Sequence, residues 1–185
     1  WVTGGSGWGN KELQYYTRDK GNVRLERGHL IIEAKNEYYK GSDYTSSRIK
    51  TKKSWKYGKF IMRAKLPKGV GTWAAFWGLP TDWKYGGWPY SGEIDVLEHV
   101  GHNEGHIVSS VHNIAKSGDL YKSDQQNNLF FKDACDTFND YKLEWNEEKI
   151  TTYINNKKIF EYQKNDKKWQ HWPFDEKFHF LFNIA

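Results

Sequence analysis

Hydrophobic and polar residues alternate with a period of two along several short stretches of the chain. Within residues 57–66, Phe60, Met62, Ala64 and Leu66 fall on one face, while lysine and arginine fall on the other. Because successive side chains of a β-strand point to opposite faces, this pattern predicts a strand with one buried face. Runs rich in aromatic and β-branched residues predict further strands at 12–17, 23–26, 29–35, 46–52, 107–114, 141–145, 149–154, 157–163 and 177–185.

Two stretches lack this alternation. Residues 73–79 are apolar throughout, which indicates a strand that is buried on both faces. Residues 115–128 are polar, and their composition predicts a flexible loop. The dipeptides at 27–28 and 155–156, Arg-Gly and Asn-Asn, suit tight turns, so each predicts a hairpin between the strands beside it. Many short strands without an internal repeat or a linker indicate one all-β sandwich domain.

The most informative stretch is residues 91–101, which read S-G-E-I-D-V-L-E-H-V-G. Glu93 and Asp95 fall on one face of the predicted strand, and the apolar residues between them fall on the face toward the core. Glu98 lies five residues after Glu93, an odd step that would direct its carboxylate into the core at a large desolvation cost. A β-bulge near Leu97 would restore the phase and bring all three acids to one face.

Three carboxyl groups on one face favour acid–base chemistry. With the bulge, Glu93 and Glu98 would be offset by roughly 13 Å between Cα atoms, at ~3.3 Å per residue. Leaning over the shorter Asp95, their carboxyls would approach to about 5–6 Å, near the ~5–5.5 Å separation of retaining glycoside hydrolases. Crowding raises the pKa of at least one acid, so a protonated acid can lie beside an ionised nucleophile. The alternative is a solvated acidic strand face without a catalytic role.

Composition narrows the class of protein. Mean hydropathy is low at −0.91, but the 185 residues include 10 Trp, 12 Tyr and 10 Phe, and disordered segments are poor in aromatic residues. The net charge of +5 comes from lysines spread along the chain. Neither a basic cluster nor a nucleic-acid-reading motif is present, so nucleic acid is not an expected partner. Cys135 is the only cysteine, which excludes an intrachain disulfide, and no apolar run is long enough to span a membrane.

The segment W-P-Y-S-G-E-I-D-V-L-E-H-V-G (88–101) resembles the active-site strand of family 16 glycoside hydrolases, in the laminarinase-like branch with the motif E-x-D-x-x-E. The resemblance continues in family order through N-K-E-L-Q-Y-Y-T (10–17), G-H-L-I-I-E-A (28–34), Y-T-S-S-R-I (44–49), K-Y-G-K-F-I-M-R-A-K-L-P-K-G (56–69), G-T-W-A-A-F-W-G-L-P-T-D (71–82) and F-H-F-L-F-N-I-A (178–185). It implies a jelly-roll, concanavalin A-like β-sandwich of two curved antiparallel sheets with a concave glycan cleft. It also implies one catalytic domain over 1–185 that lacks terminal strands at both ends.

By this resemblance, Glu93 would be the nucleophile, Glu98 the general acid/base, and Asp95 the residue that orients or tunes Glu93. The same resemblance implies substrate-binding roles for Trp88, Trp77, Trp73, Arg48, His112, Asn10 and Asn183. Strand alternation alone leaves Trp73 and Trp77 equally free to be core residues, and leaves Arg48 free to be exposed or paired. For Glu12, beside the same loop as Asn10, we expect an ordinary exposed strand residue.

Metal binding is not expected at the catalytic acids. His99, His102 and His106 have the spacing His-x2-His-x3-His, but strand phase places His99 opposite Glu98 and the other two in a glycine-containing turn. Three converging ligands, which catalytic zinc needs, are therefore not predicted. The resemblance implies catalysis without a cofactor and a structural calcium away from the cleft, whose ligands we do not assign.

The expected function is endo-acting hydrolysis of internal β-1,3 or mixed β-1,3/1,4 glucan linkages by a retaining double displacement. The expected partner is the polysaccharide alone, bound by a secreted monomer. The chain begins at Trp1 and shows no signal peptide, so location is expected from the resemblance only. Two alternatives stay open: the same fold acting on agarose or carrageenan, and a β-glucan-binding recognition protein without catalysis.

Overall fold

The computed structural model describes residues 1–5, 7–115 and 125–185, and these form an all-β protein with one short 3-10 helix, Gly101–Asn103. The strands are β1 (Gln14–Tyr16), β2 (Val23–Glu26), β3 (His29–Ile32), β4 (Lys35–Tyr39), β5 (Ser42–Ser46), β6 (Arg48–Lys50), β7 (Gly58–Ala64), β8 (Trp73–Pro80), β9 (Glu93–Val100), β10 (His106–His112), β11 (Gln125–Phe130), β12 (Asn139–Trp145), β13 (Lys149–Ile154), β14 (Lys157–Gln163) and β15 (Phe178–Ile184). The predicted all-β class is confirmed.

Two antiparallel sheets enclose the core. The larger has six strands in the order β11-β10-β9-β8-β15-β6, and the smaller has four in the order β14-β13-β12-β7. Ile94 and Val111 from the larger sheet and Leu143 and Ile150 from the smaller are completely buried in one hydrophobic cluster. The alternation that marked residues 57–66 in the sequence places Phe60 and its neighbours of β7 against this cluster. The sandwich prediction is confirmed.

Two smaller strand groups complete the described fold. The first, β1-β5-β4, contains a parallel pair, because β1 runs parallel to β5 with Tyr15 opposite Thr45. This group lies outside the two predicted antiparallel sheets of the sandwich, and the sequence analysis did not predict its parallel pair. The second is the hairpin of β2 and β3, whose turn at Arg27 and Gly28 has positive φ at both residues, 49° and 79°. That turn is as predicted from the Arg-Gly dipeptide.

Two predictions at strand level need correction. Strand β8 is not buried on both faces, since its residues alternate strictly between half-buried and buried from Trp73 to Pro80. The predicted loop at 115–128 is wrong over its last four residues, because Gln125–Phe130 pairs with β10 as an edge strand. Residues 116–124 of that predicted loop lie outside the described residues. Polar side chains suit an edge strand whose outer face meets water, so their composition did not reveal the pairing.

The predicted bulge lies within β9. Leu97 pairs with Phe76 of β8 and Asp95 pairs with Trp77, so Val96 is an extra residue without a partner on β8. The pairing with β10 shifts at the same place. The hydroxyl of Ser109 donates a 2.7 Å hydrogen bond to the Val96 carbonyl, which gives the bulged backbone a partner. The extra residue reverses the phase of every side chain that follows it.

No helix among the described residues is both long and apolar enough to cross a membrane.

Candidate active site

The outer face of β8 and β9 forms the floor of an open cleft of about 540 Å³. Its lining includes the three acids of β9 and five half-exposed or exposed aromatic and apolar side chains from β8 and the loop that follows it. These five are Trp73, Trp77, Leu79, Trp83 and Trp88. The opposite face of β8 carries Ala74 and Phe76 into the core. The cleft is therefore built on the solvent side of the larger sheet.

The bulge brings the three acids together on this cleft. Glu93 and Asp95 precede Val96 and Glu98 follows Leu97, yet all three carboxyls line the same cavity. Asp95 is only 3 % exposed, whereas Glu93 and Glu98 are partly accessible. Without the extra residue, Glu98 would point toward the core. The structure thus places the acids as the odd spacing of the sequence predicts, and it leaves their catalytic roles to be argued from their surroundings.

Asp95 is held by two donors on β10. Ser110 donates a hydrogen bond of 2.6 Å to its Oδ2, and His112 Nε2 lies 2.8 Å from the same oxygen. Burial lowers the pKa of His112, but the hydrogen bond to Asp95 and the charges of the three acids outweigh burial and raise it to about 9. At neutral pH an imidazolium cation therefore lies beside the carboxylates.

Glu93 accepts a hydrogen bond of 2.8 Å from the indole nitrogen of Trp88. Burial, followed by the charge of Asp95, raises the pKa of Glu93 well above its usual value, while His112 and the Trp88 N–H act in the opposite direction. Ionised Glu93 lies beside the charge of Asp95, and the repulsion between them adds to burial in favouring the neutral form of Glu93. The cation on His112 and the Trp88 N–H stabilise the ionised form of Glu93.

Glu98 has different surroundings. Its Oε1 accepts a hydrogen bond of 3.0 Å from Trp73 Nε1 on the neighbouring strand. Burial and then the charge of Asp95 raise the pKa of Glu98 to about 7, although His112 and the Trp73 N–H lower it. A carboxyl with this pKa is present in both protonation states near neutral pH, so it can give a proton and later take one.

Three potential metal ligands converge among the described residues. Single ligand atoms of Glu93, Asp95 and His112 lie within 4.8 Å of one another. In the short contact between His112 and Asp95, the imidazolium N–H donates to the carboxylate, so Nε2 has no free lone pair for a metal and a hydrogen-bonded charge pair explains the cluster. His99 is completely buried on the other side of β9, and its Nε2 accepts the Gly105 N–H at 3.1 Å. That acceptor is therefore not directed toward the cleft acids.

Arg48 lies at one end of the cleft between two indole rings. Its guanidinium carbon is 4.5 Å from the ring centre of Trp77 and 5.3 Å from that of Trp8. Among the described residues, the Nε of Arg48 is buried without a hydrogen-bond partner, and the indole nitrogen of Trp8 is in the same situation. An unpaired buried donor is costly, and the two indole faces supply the contacts of the guanidinium in this position.

A hydrogen-bonded chain fixes the cleft residues near Arg48. Trp77 Nε1 donates to Asn183 Oδ1 at 2.8 Å, and the Asn183 amide donates to the Tyr16 hydroxyl at 3.1 Å. The hydroxyl of Tyr16 in turn donates to Glu12 at 3.2 Å. Burial and the nearby Glu12 raise the pKa of Tyr16, so the phenol stays neutral and donates. These hydrogen bonds fix the orientation of Trp77 through Asn183 of β15 and Tyr16 of β1.

Most of the residues singled out in the sequence meet in this cleft. Trp73 and Trp77 both face it, which resolves their ambiguity between cleft and core. Asn10 lies on the rim and donates to Glu12 at 3.3 Å. The expectation that Glu12 is an ordinary exposed residue is wrong, because it lines the cleft and accepts hydrogen bonds from Asn10, Gln14 and Tyr16. Its local sequence gave no sign of these partners.

Trp8 and Trp83 were not predicted as cleft residues. Trp83 lies five residues before Trp88 in the same loop, which carries Gly86 and Gly87 and leads into the acidic strand. A cluster of tryptophans in a glycine-containing loop beside the acids was therefore a usable signal. Trp8 lies in a glycine-rich stretch without periodicity, and only its packing against Tyr16, at 5.2 Å between ring centres, locates it.

Comparison with known proteins finds similar sequences and structures that cover nearly the whole chain. The family model for Glycosyl hydrolases family 16 matches residues 9–182. A beta-glucanase of Rhodothermus marinus is 43 % identical over 192 residues, covering 98 % of this chain and 67 % of that protein. A glucan endo-1,3-beta-glucosidase of Cryptopygus antarcticus is 35 % identical over 200 residues, covering 98 % and 72 %. The X-ray structure of the laminarinase from Rhodothermus marinus matches with a TM-score of 0.94 at 42 % identity, covering 100 % of this chain and 77 % of that chain.

Proposed function

This chain belongs to family 16 of the glycosyl hydrolases, and we propose that it hydrolyses internal β-1,3 linkages of glucan chains, including mixed β-1,3/1,4-linked glucans. The observation that carries this proposal is the convergence of Glu93, Asp95 and Glu98 on an open cleft walled by tryptophans. Flat apolar rings stack on the faces of sugar rings, so several such rings beside the acids suit a ligand of several sugar units.

The reaction proceeds in two displacements with Glu93 as nucleophile. In the first, the Glu93 carboxylate attacks the anomeric carbon while Glu98 gives its proton to the leaving glycosidic oxygen, and a covalent glycosyl-enzyme forms. In the second, the Glu98 carboxylate takes a proton from water, the water oxygen attacks the anomeric carbon, and Glu93 leaves. Each displacement inverts the anomeric carbon, so the product retains the configuration of the substrate.

The surroundings of the two glutamates support this division of roles. Glu98 has a pKa of about 7, which suits a group that must first donate and then accept a proton. Glu93 receives the Trp88 N–H and lies beside Asp95, whose own partner is the protonated His112. In the reactive form Glu93 is ionised, and the Trp88 N–H and the cation on His112 stabilise the charge that attacks.

The wall of the cleft supplies substrate binding. Trp73, Trp77 and Trp88 offer ring faces to successive glucose units, and Arg48 offers its unpaired Nε–H to a hydroxyl oxygen. Nucleophile and proton donor are both side chains of β9, so the proposed reaction needs no metal ion or organic cofactor. We propose a monomer that acts outside the cell, where polymeric glucan is met.

The direct test is incubation of the purified protein with laminarin, lichenan and agarose, followed by measurement of new reducing ends and of viscosity. Endo-cleavage of laminarin predicts a fast fall in viscosity while few reducing ends have formed. Binding of laminarin without new reducing ends would favour a recognition protein, and cleavage of agarose alone would overturn the glucan assignment. The matched control is Glu93→Gln, which keeps the shape of the cleft and should remove turnover.

A further inference from the structure

The loop of residues 81–92 between β8 and β9 carries Trp88 to the cleft. It contains Gly86 and Gly87 at its centre and Gly92 at its end, and Gly86 and Gly92 have positive φ angles of 110° and 85°. Glycine loses more conformational freedom on folding than other residues, so a loop of this composition is expensive to hold in one shape. Trp88 is 48 % exposed and yet hydrogen-bonds Glu93 at 2.8 Å. Contacts outside the sheets must therefore keep this loop in place.

Trp169, from a distant segment after β14, supplies such a contact. Tyr85 stacks on its indole with ring centres 5.1 Å apart and an interplanar angle of 5°. Tyr90 stacks on the same indole at 6.4 Å and 29°. These two tyrosines precede and follow Trp88 in the sequence, so one indole holds both arms of the loop. Trp169 itself does not line the cleft.

Polar contacts reinforce this stack. The Tyr85 hydroxyl donates to Asp175 at 2.9 Å, and Lys84 forms an ion pair with Glu176. Within the loop, the buried Ser91 hydroxyl donates to the Gly86 carbonyl at 2.6 Å. A Cβ atom at Gly92 would lie 2.9 Å from Phe174 and Pro173, so the loop also abuts the segment that follows Trp169.

The segment that carries Trp169 is itself fixed to the core. The hydroxyl of Tyr162 on β14 donates to the His171 carbonyl at 2.6 Å, and the next residue, Trp172, is only 1 % exposed. His171 Nδ1 also lies 2.7 Å from Asp166, which closes the turn around Trp169. The indole is therefore presented by a rigid support and not by a second free loop.

We propose that Trp169 is a positioning residue for hydrolysis: with Tyr85 and Tyr90 it forms an aromatic clamp that holds Trp88 against Glu93. This inference rests on the proposed function, because it assigns Trp169 a role in the same reaction. The clamp keeps the Trp88 N–H on the nucleophile and keeps the indole face ready for a sugar ring. When the clamp is lost, substrate must order the loop as it binds, so KM rises.

The clamp is tested by a double-mutant cycle on laminarin with Trp169→Ala, Trp88→Ala and both together. Trp169→Ala should raise KM about 3- to 10-fold with a smaller fall in kcat, and Trp169→Tyr should recover most of the loss. In the Trp88→Ala background, the second change should have almost no further effect. The matched control is Tyr39→Ala, which removes another surface aromatic pair, with Tyr15 at 5.1 Å, and should leave both constants unchanged.

A spectroscopic measurement keeps this test separate from the proposed function. The indole N–H resonance of Trp88, identified by its absence in Trp88→Phe, should broaden and exchange faster with solvent in Trp169→Ala. An unchanged Trp88 signal would overturn the clamp whether or not the protein is active. An equal rise in KM in the two backgrounds would also overturn it, as would an unchanged KM with only a lowered melting temperature. An inactive wild-type protein would instead contradict the hydrolase assignment.

Discussion

Trp73 of β8 donates a hydrogen bond of 3.0 Å from its indole nitrogen to Glu98 of the neighbouring strand, β9. This contact is made possible by the bulge at Val96, which turns Glu98 to the face that Trp73 already occupies. Because an N–H stabilises the ionised carboxylate, Trp73 lowers the pKa of Glu98 and sets the pH at which the proposed acid loses its proton.

Trp73→Phe should therefore raise the pKa of Glu98 above its present value of about 7. The basic limb of the kcat/KM profile reports the acid that must be protonated, so it should move upward by about half a unit to one unit. The control is Trp77→Phe, because the Trp77 N–H bonds Asn183 and not an acid. A basic limb that stays in place or moves downward in Trp73→Phe would contradict this role.

Replacement of His112 by glutamine removes a cation that stabilises the ionised forms of Glu93 and Glu98. Both pKa values should rise, so both limbs of the pH–activity profile should move to higher pH, by about one unit. Activity at mildly acidic pH should fall most, because Glu93 is then protonated. His106→Gln removes a histidine from the same strand outside the cleft and should leave the limbs unchanged, and equal profiles for the two variants would refute the effect.

Glu98 should also make stability depend on pH. Its folded-state pKa of about 7 lies above the unfolded value of about 4.3, so its ionisation opposes folding. This cost is absent below about pH 4, grows as the pH rises, and is complete above the folded pKa. The free energy of unfolding is measured by urea denaturation at pH 4 and pH 8. On going from pH 4 to pH 8, that of Glu98→Gln should therefore rise by about 1–3 kcal/mol relative to that of wild type.

The control for this stability prediction is Glu147→Gln, which makes the same change at an exposed residue between β12 and β13, outside the cleft. If the difference between Glu98→Gln and wild type is the same at pH 4 and pH 8, then Glu98 is not buried with a raised pKa.

Arg48→Lys tests whether substrate binding needs the planar guanidinium or only its positive charge. Lysine keeps the positive charge but loses the planar group that stacks on Trp77 and the unpaired Nε–H. We expect KM for laminarin to rise about 3- to 10-fold with kcat nearly unchanged, because the contact is made equally in ground state and transition state. Steady-state kinetics decide this, and a fall in kcat at constant KM would instead place Arg48 in the chemical step.

The bulge could be predicted from the sequence because a regular strand would carry a large desolvation cost. A strand without it would carry the Glu98 carboxylate into the core, and this one anomaly identified both the bulge and the cleft face. The hairpin at Arg27 and Gly28 was predictable for a similar local reason, since its dipeptide suits positive φ. In both cases the free energy that decides the local structure depends on a few consecutive residues.

The remaining features depend on partners distant in the sequence. Trp77 on β8 is apolar like a core residue, so composition could not distinguish a sugar-binding cleft from a second core. Glu12 acquires its role from Tyr16, which is bonded to Asn183 on β15. The parallel pairing of β1 with β5 likewise joins distant positions, since Gln14 lies opposite Tyr44. The separation of the Glu93 and Glu98 carboxyls stays a prediction of the sequence.

The measurement that tests the central account most directly is the configuration of the glycosyl azide formed when each glutamate is replaced by alanine. Variants Glu98→Ala and Glu93→Ala are given an aryl β-laminaribioside and sodium azide, and products are identified by NMR. If Glu93 is the nucleophile, azide attacks the glycosyl-enzyme of Glu98→Ala and gives the β-azide, whereas in Glu93→Ala it attacks the substrate directly and gives the α-azide. An α-azide from Glu98→Ala, or a β-azide from Glu93→Ala, would contradict the assignment of both residues.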